Sequence, residues 1–129
     1  MTQEQKELLL KDLCARLPYD TVCQVEFKSD GKYESKNMIL SGIFKDEAYF
    51  TIENGSVYSN DYKPYLFPLS SMNEEQSKVY HEMIKGMFGT SALINFEVLT
   101  DFFNSNHLDY RGLIKKSLAL DATNLGIYE

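Results

Sequence analysis

The sequence predicts an α+β fold: an N-terminal helix, a small antiparallel barrel or meander of about four to five strands, and C-terminal helices. Three observations predict it. Residues 3–16 carry apolar side chains at helical spacing behind a capping signal. Residues 21–59 alternate apolar and polar side chains between short turn signals. From residue 71 onward the helical spacing returns. The strongest local signal is FTIENGSVYS, residues 50–59, where Asn54-Gly55 separates two runs rich in Thr, Ile, Val, Tyr and Phe. Both central residues of a type I′ turn need φ > 0, and Asn-Gly meets that need at little steric cost. The sequence therefore predicts a hairpin with Asn54-Gly55 at its centre.

The first helix is expected over Gln3–Arg16. Thr2 and Gln5 fit a capping box, and Leu9, Leu10, Leu13, Cys14 and Leu17 share a face. Pro18 ends the helix, because the residue before a proline avoids the helical region. Residues 21–27 read as a half-buried strand with Cys23, Val25 and Phe27 inward. Ser29, Asp30, Gly31 and Lys32 supply a turn. A second strand falls within residues 37–44, where Ile39 and Ile43 compete with Met38, Leu40 and Phe44 for the inner face. Gly42 inside it signals a bulge or bend. Lys45, Asp46 and Glu47 make the next turn. In residues 48–53, Ala48, Phe50 and Ile52 alternate with polar partners. Residues 62–69 contain Pro64 and Pro68, which argues against a central strand and for a 3₁₀ turn or an edge segment. Ser71 with Glu74, and Asn73 with Gln76, announce a second helix whose apolar face is Val79, Tyr80, Met83, Ile84 and Met87, with Gly89 as its C′ residue. Phe96, Leu99, Phe102 and Phe103 mark a third. Asp109 is expected to cap a last short helix through Lys116, after which residues 118–129 trail off.

At 129 residues the chain suits one domain, 1–129: helix over 1–17, antiparallel sheet over 21–69, and a mainly helical part over 71–129. A meander with a bent second strand tends to curl, and in strand number and turn spacing this one resembles small SH3-like barrels. Nine Tyr and eight Phe argue against disorder. A net charge of −6, with 13 basic against 19 acidic residues, disfavours nucleic acid and anionic lipid as partners. No apolar run is long enough to span a bilayer, and the N-terminus has no secretory pattern, so a cytoplasmic setting is expected. In that reducing setting Cys14 and Cys23 are expected to be free, buried and slow to react.

Candidate chemistry is sparse. His81-Glu82 opens like a zinc-protease HExxH, but Lys85 stands where the second His is required. Residues 86–91, GMFGTS, lack the glycine spacing and the Lys of a phosphate loop. Their GxxG lacks the basic setting of a KH-type clamp, and an ordinary helix C-cap accounts for them. Asp101, His107 and Asp109 form a His-plus-carboxylate cluster. Nothing nearby supplies a nucleophile, the ligands are too few for a metal, and turn chemistry accounts for His107. No cofactor, metal ligand or catalytic set follows. Aromatic strands without accompanying Lys and Arg suit a core and a protein-contact surface better than base stacking.

Three segments, MTQEQKELLLKDLCARLPY, then KPYLFPLSSMNEEQ, then HLDYRGLI followed by LALDAT, resemble a group of short proteins encoded in gut Bacteroidales genomes and their phages. They cover about a third of the chain, and most of its middle, residues 24–61, lies outside them. The group brings no biochemical activity, so no functional residue carries over. The resemblance implies a cytoplasmic, phage-derived accessory protein.

Two function classes follow. The first is a small non-enzymatic protein-binding or adaptor protein, with Tyr110, Arg111 and His107 as contact candidates, since Tyr and Arg are frequent interface hot spots. Arg111 is also expected to pair with Asp109 at the surface. The alternative is a small hydrolase using His107 with Asp101 or Asp109. A nucleic-acid-binding barrel is a weaker third reading. The sequence sets neither the partner protein nor the oligomeric state.

Overall fold

Helix α1 (Gln3–Arg16) starts where the capping box predicts. Thr2 Oγ1 accepts the Gln5 N–H at 3.1 Å, and Gln5 Oε1 accepts the Thr2 N–H at 2.9 Å. The computed structural model describes residues 1–45, 47–52, 55–86 and 92–129. The face that α1 buries is Leu9, Asp12, Leu13 and Arg16. Leu10 and Leu17 are half-buried, and Cys14 is exposed. The expected burial of both thiols is therefore corrected: both cysteines are free, but Cys23 alone is buried. Cys14 belongs to a stripe rotated about 100° from its neighbour's, and the inward stripe is completed by an i,i+4 ion pair instead. Pro18 sits in a 3₁₀ turn, Leu17–Tyr19, and Asp20 leaves it with φ 51°.

The sheet holds β1 (Val22–Ser29), β2 (Lys32–Phe44), β3 (Glu47–Ile52), β4 (Gly55–Ser59), β5 (Asp61–Leu66) and β6 (Leu120–Asp121), in the order β4-β3-β2-β1-β5-β6. All pairs are antiparallel except β5 with β6. Ser29 pairs with Lys32 around Asp30 (φ 51°) and Gly31 (φ 78°), the two positive values that a type I′ turn demands. So tight a turn zips the register from its base, and β2 starts five residues before the expected 37.

The competing faces of β2 are settled by a bulge between Leu40 and Gly42. Before it, Met38 and Leu40 point into the core; after it, the extra residue switches the parity and Ile43 packs inward. At the β3–β4 hairpin, Ile52 pairs with Gly55. Gly55 thus opens β4, at φ 155°, and is not a turn centre as expected; Asn54 and Asp46, both expected in turns, lie outside the described residues.

Residues 61–66 form a paired strand with Pro64 opposite Cys23, so of the two expectations for this stretch the 3₁₀ turn is corrected and the edge segment holds at Pro64. β6 covers β5 only at Tyr65 and Leu66. At Pro64 the side away from β1 has no ladder partner among the described residues, and there a missing donor costs nothing. Asn60 alone separates β4 from β5. Ser59 Oγ pins that corner, donating to the Glu26 carbonyl at 2.6 Å and accepting the Asp61 N–H at 3.0 Å. The sheet is open, with β4 and β6 as its edges, so the ladder does not close into a barrel.

The core lies between α1 and the inner face of the sheet, from Leu9 and Leu13 through Val25, Leu40 and Phe50 to Leu66. Phe50 and Tyr62 meet at a 5.2 Å centroid distance. Helix α2 (Glu74–Gly86) is capped by Asn73, not Ser71: Asn73 Oδ1 accepts the Gln76 N–H at 2.8 Å, and Gln76 Oε1 returns the bond at 3.0 Å. Helix α3 spans Ala92–Ser105. Met87, Gly89 and the other residues of 87–91 considered above lie outside the described residues.

The last predicted helix does not form. Asp109 does what a cap does, its two carboxylate oxygens accepting the N–H groups of Leu113 and Ile114. Gly112 at φ 72° and Ser117 at φ 59°, however, turn the chain out of the helical region. The C-terminal residues do not trail off either. Leu118, Ala119 and Ala122 are buried, and residues 120–121 add β6 to the sheet. Among the described residues no helix is long and apolar enough to cross a membrane.

Candidate functional site

His107, Tyr110 and Arg111 are all engaged inside the molecule. The link that gathers them is a buried ion cluster on α1. Asp12 and Arg16 are one helical turn apart, and both side chains are fully buried. Arg16 Nε donates to Asp12 Oδ2 at 2.7 Å, and Arg16 Nη2 donates to the Leu108 carbonyl at 2.6 Å. Arg111 Nε reaches the other carboxylate oxygen of Asp12 at 3.1 Å, with its side chain 19% exposed. Its partner is thus Asp12, not the expected Asp109, which is occupied by backbone N–H groups. Tyr110 stacks on Phe103 at 5.0 Å and lies under both guanidiniums, at 5.4 Å from Arg16 and 4.8 Å from Arg111. Arg111 Nη2 also donates to the Tyr110 hydroxyl at 2.9 Å.

His107 sits at φ 56° in the turn after α3. Its carbonyl accepts the Phe67 N–H at 2.8 Å, and the Phe67 carbonyl accepts the Asp109 N–H at 2.8 Å, extending the line of β5. The imidazole stacks face to face on Tyr128 with centroids 3.7 Å apart. Burial pushes its pKa down to about 4; the Arg16 charge pushes the same way, and Asp20 opposes. The ring is therefore neutral at neutral pH. Asp101 is exposed on α3, and among the described residues neither Asp101 nor Asp109 hydrogen-bonds His107. The geometry does not bring the three together as a base with its orienting carboxylate. His81, the start of the incomplete HExxH, is an exposed helix residue beside Tyr80.

Sequence reasoning missed Asp12, Arg16 and Tyr128. The first two carried a signal, an Asp and an Arg at i,i+4 on the stripe of Leu9 and Leu13. Tyr128 carried none. Its hydroxyl accepts the Val22 N–H at 3.0 Å and donates to the Tyr65 carbonyl at 2.7 Å, and burial holds its pKa above the usual phenol range.

A second cluster lies on the outer face of β2, β3 and β4. Antiparallel partners share a face, so the register builds rows. Ile39 pairs with Thr51, which pairs with Ser56; Gly42 pairs with Tyr49, which pairs with Tyr58; Phe44 pairs with Glu47. All of these point away from the core. Phe44 is 64% exposed, Tyr58 58% and Ile39 41%. The Tyr49 and Tyr58 rings lie 6.0 Å apart, and the Lys45 ammonium sits 5.7 Å from the Phe44 ring centre. The bulge at Gly42 creates this grouping, since it turns Phe44 outward. Comparison of the chain with protein-family models, curated proteins and solved structures finds no match.

Proposed function

We propose that this chain is a small protein-binding module that works by contact, not catalysis, and that its contact surface is the outer face of β2–β3–β4. The observation that carries this is the grouping of Phe44, Tyr58, Ile39 and Tyr49 on one solvent face. Single exposed apolar residues are ordinary, but grouped aromatic and aliphatic side chains rimmed by polar ones mark interaction sites. The order of the first five strands, a meander whose fifth strand returns to the first, supports an SH3-like arrangement with this face on its outside. The excess of acidic residues favours a protein partner over nucleic acid. Such a module suits the accessory role that the end-segment resemblance implies.

The test is affinity capture with the full chain from a lysate of the organism that encodes it, with the bound proteins identified. Phe44→Ser is expected to lose the captured protein, while Arg111→Ala, on the other surface, retains it. Retention by Phe44→Ser with loss by Arg111→Ala moves the contact surface to Tyr110 and Arg111 and overturns the assignment.

A further inference from the structure

We infer that the free edge of β4 pairs with the β4 edge of a second copy of this chain, joining two sheets about a two-fold axis. The inference rests on the protein-binding reading in that it names a partner for the β4 side of that face. The sheet has two edges, and they are built differently. β6 is two residues long, and Asp121 within it is exposed and charged, with its carboxylate accepting the Thr123 N–H at 2.9 Å. Shortness and charge are the ordinary protections of an edge. β4 has neither. Its sequence, GSVYS, contains no charge and no proline, and its ladder with β3 runs without a bulge. Gly55, Ser56 and Tyr58 are exposed.

The register shows which backbone groups are free. Two residues separate the paired Ile52 and Gly55, so these two exchange hydrogen bonds, as do Phe50 with Val57 and Ala48 with Ser59. Ser56 and Tyr58 consequently turn their N–H and C=O groups to the open side. A second β4 laid antiparallel, Val57 against Val57 of the second copy, sets Ser56 opposite Tyr58 and Tyr58 opposite Ser56. Four backbone hydrogen bonds form, and the pattern is its own complement, as a two-fold interface requires. The same register places each Tyr58 ring beside a serine on the outer face, where the small side chain leaves it room. Because β4 is uncharged, the two strands meet without local repulsion. An interface made by a single strand is small, so the dimer is weak and concentration-dependent.

Sedimentation of the full chain from micromolar to millimolar concentration tests this, beside Ser56→Pro and Tyr58→Lys, with folding of each checked by circular dichroism. The Ser56 N–H faces away from β3, so proline there removes an outward donor and leaves the β3 ladder intact. The expected result is a mass that rises toward the dimer in the unaltered chain and stays monomeric in both variants. Slowed hydrogen exchange at Ser56 and Tyr58 in the concentrated unaltered chain is expected with it. A chain that stays monomeric at every concentration, or a dimer that persists in both folded variants, overturns the inference. A monomer that captures a different protein through Phe44 sinks the dimer and leaves the protein-binding reading standing.

Discussion

Asp12 is fully buried between two guanidiniums. Asp12→Asn removes its charge and leaves Arg16 buried and unpaired, a change expected to cost about 3–5 kcal/mol in urea unfolding. Arg111→Ala leaves the Asp12–Arg16 pair intact and should cost less, about 1–2 kcal/mol. The ranking of the two is the check; equal losses would mean the cluster is not organised around Asp12. At His107 the effect is one of pH. Its folded pKa, about 4, lies below the ordinary 6.5, so the unfolded chain takes up the proton first. The contribution is complete above about pH 6.5 and is lost as pH falls toward 4. Thermal unfolding across that window should show a fall in Tm that His107→Asn reduces, asparagine being tolerant of the left-handed backbone there. The Asp12–Arg16 pair carried a signal in its i,i+4 spacing on one helix, but the sequence reading passed over it. Arg111 carried no such signal, because its partner is distant in sequence and only the folded chain brings the two together.

Turn and cap chemistry marked the boundaries at Thr2, Asp30-Gly31 and Asn73, which act through neighbours a few residues away. By contrast, β2 starts five residues before the expected 37, Gly55 falls inside β4 and no helix follows Asp109. Elements that depend on distant partners were read less well. Pro64 argued against a central strand and for a 3₁₀ turn or an edge segment; β5 is a paired strand that is open on one side at Pro64, so the edge reading holds there and the 3₁₀ reading does not. Gly42 correctly announced the bulge, but the bulge does not need glycine. Its φ is not in the left-handed region, and a Cβ there would meet nothing within 4 Å. Gly42→Ala is thus expected to stabilise by about 0.4–1 kcal/mol through the unfolded chain, as read by denaturant midpoint. The β1–β5 pair carries a conflict of its own. Glu26 stands directly opposite Asp61, and the hydrogen bond and charge of Asp61 raise the Glu26 pKa. A raised carboxyl favours the folded state in acid and loses that contribution as pH rises through its folded value. Asp61→Asn should therefore raise Tm at pH 7 and change it less near pH 4; the opposite order would remove the conflict from the account.

Across the whole molecule, the α+β arrangement was legible and the fate of the C-terminal residues was not. Residues 118–129 lack a periodic pattern because they act singly, with Leu118 and Ala122 filling the core and Tyr128 tying β1 to β5. Tyr128→Phe keeps the ring against His107 but strips the hydroxyl from the Val22 N–H and the Tyr65 carbonyl. A loss of about 1–3 kcal/mol is expected in equilibrium unfolding, with faster hydrogen exchange at Val22. The one-residue link at Asn60 has a consequence for how the chain reaches this state. β4 ends on one margin of the sheet, yet β5 must begin beside β1, three strands away, with no slack between them. The two hairpins can zip independently from their own turns, but β5 finds its place only after the four earlier strands have curled far enough to carry residue 60 back to Glu26. Substitutions at the Asp30-Gly31 turn should accordingly slow folding, while substitutions along β5 should chiefly speed unfolding.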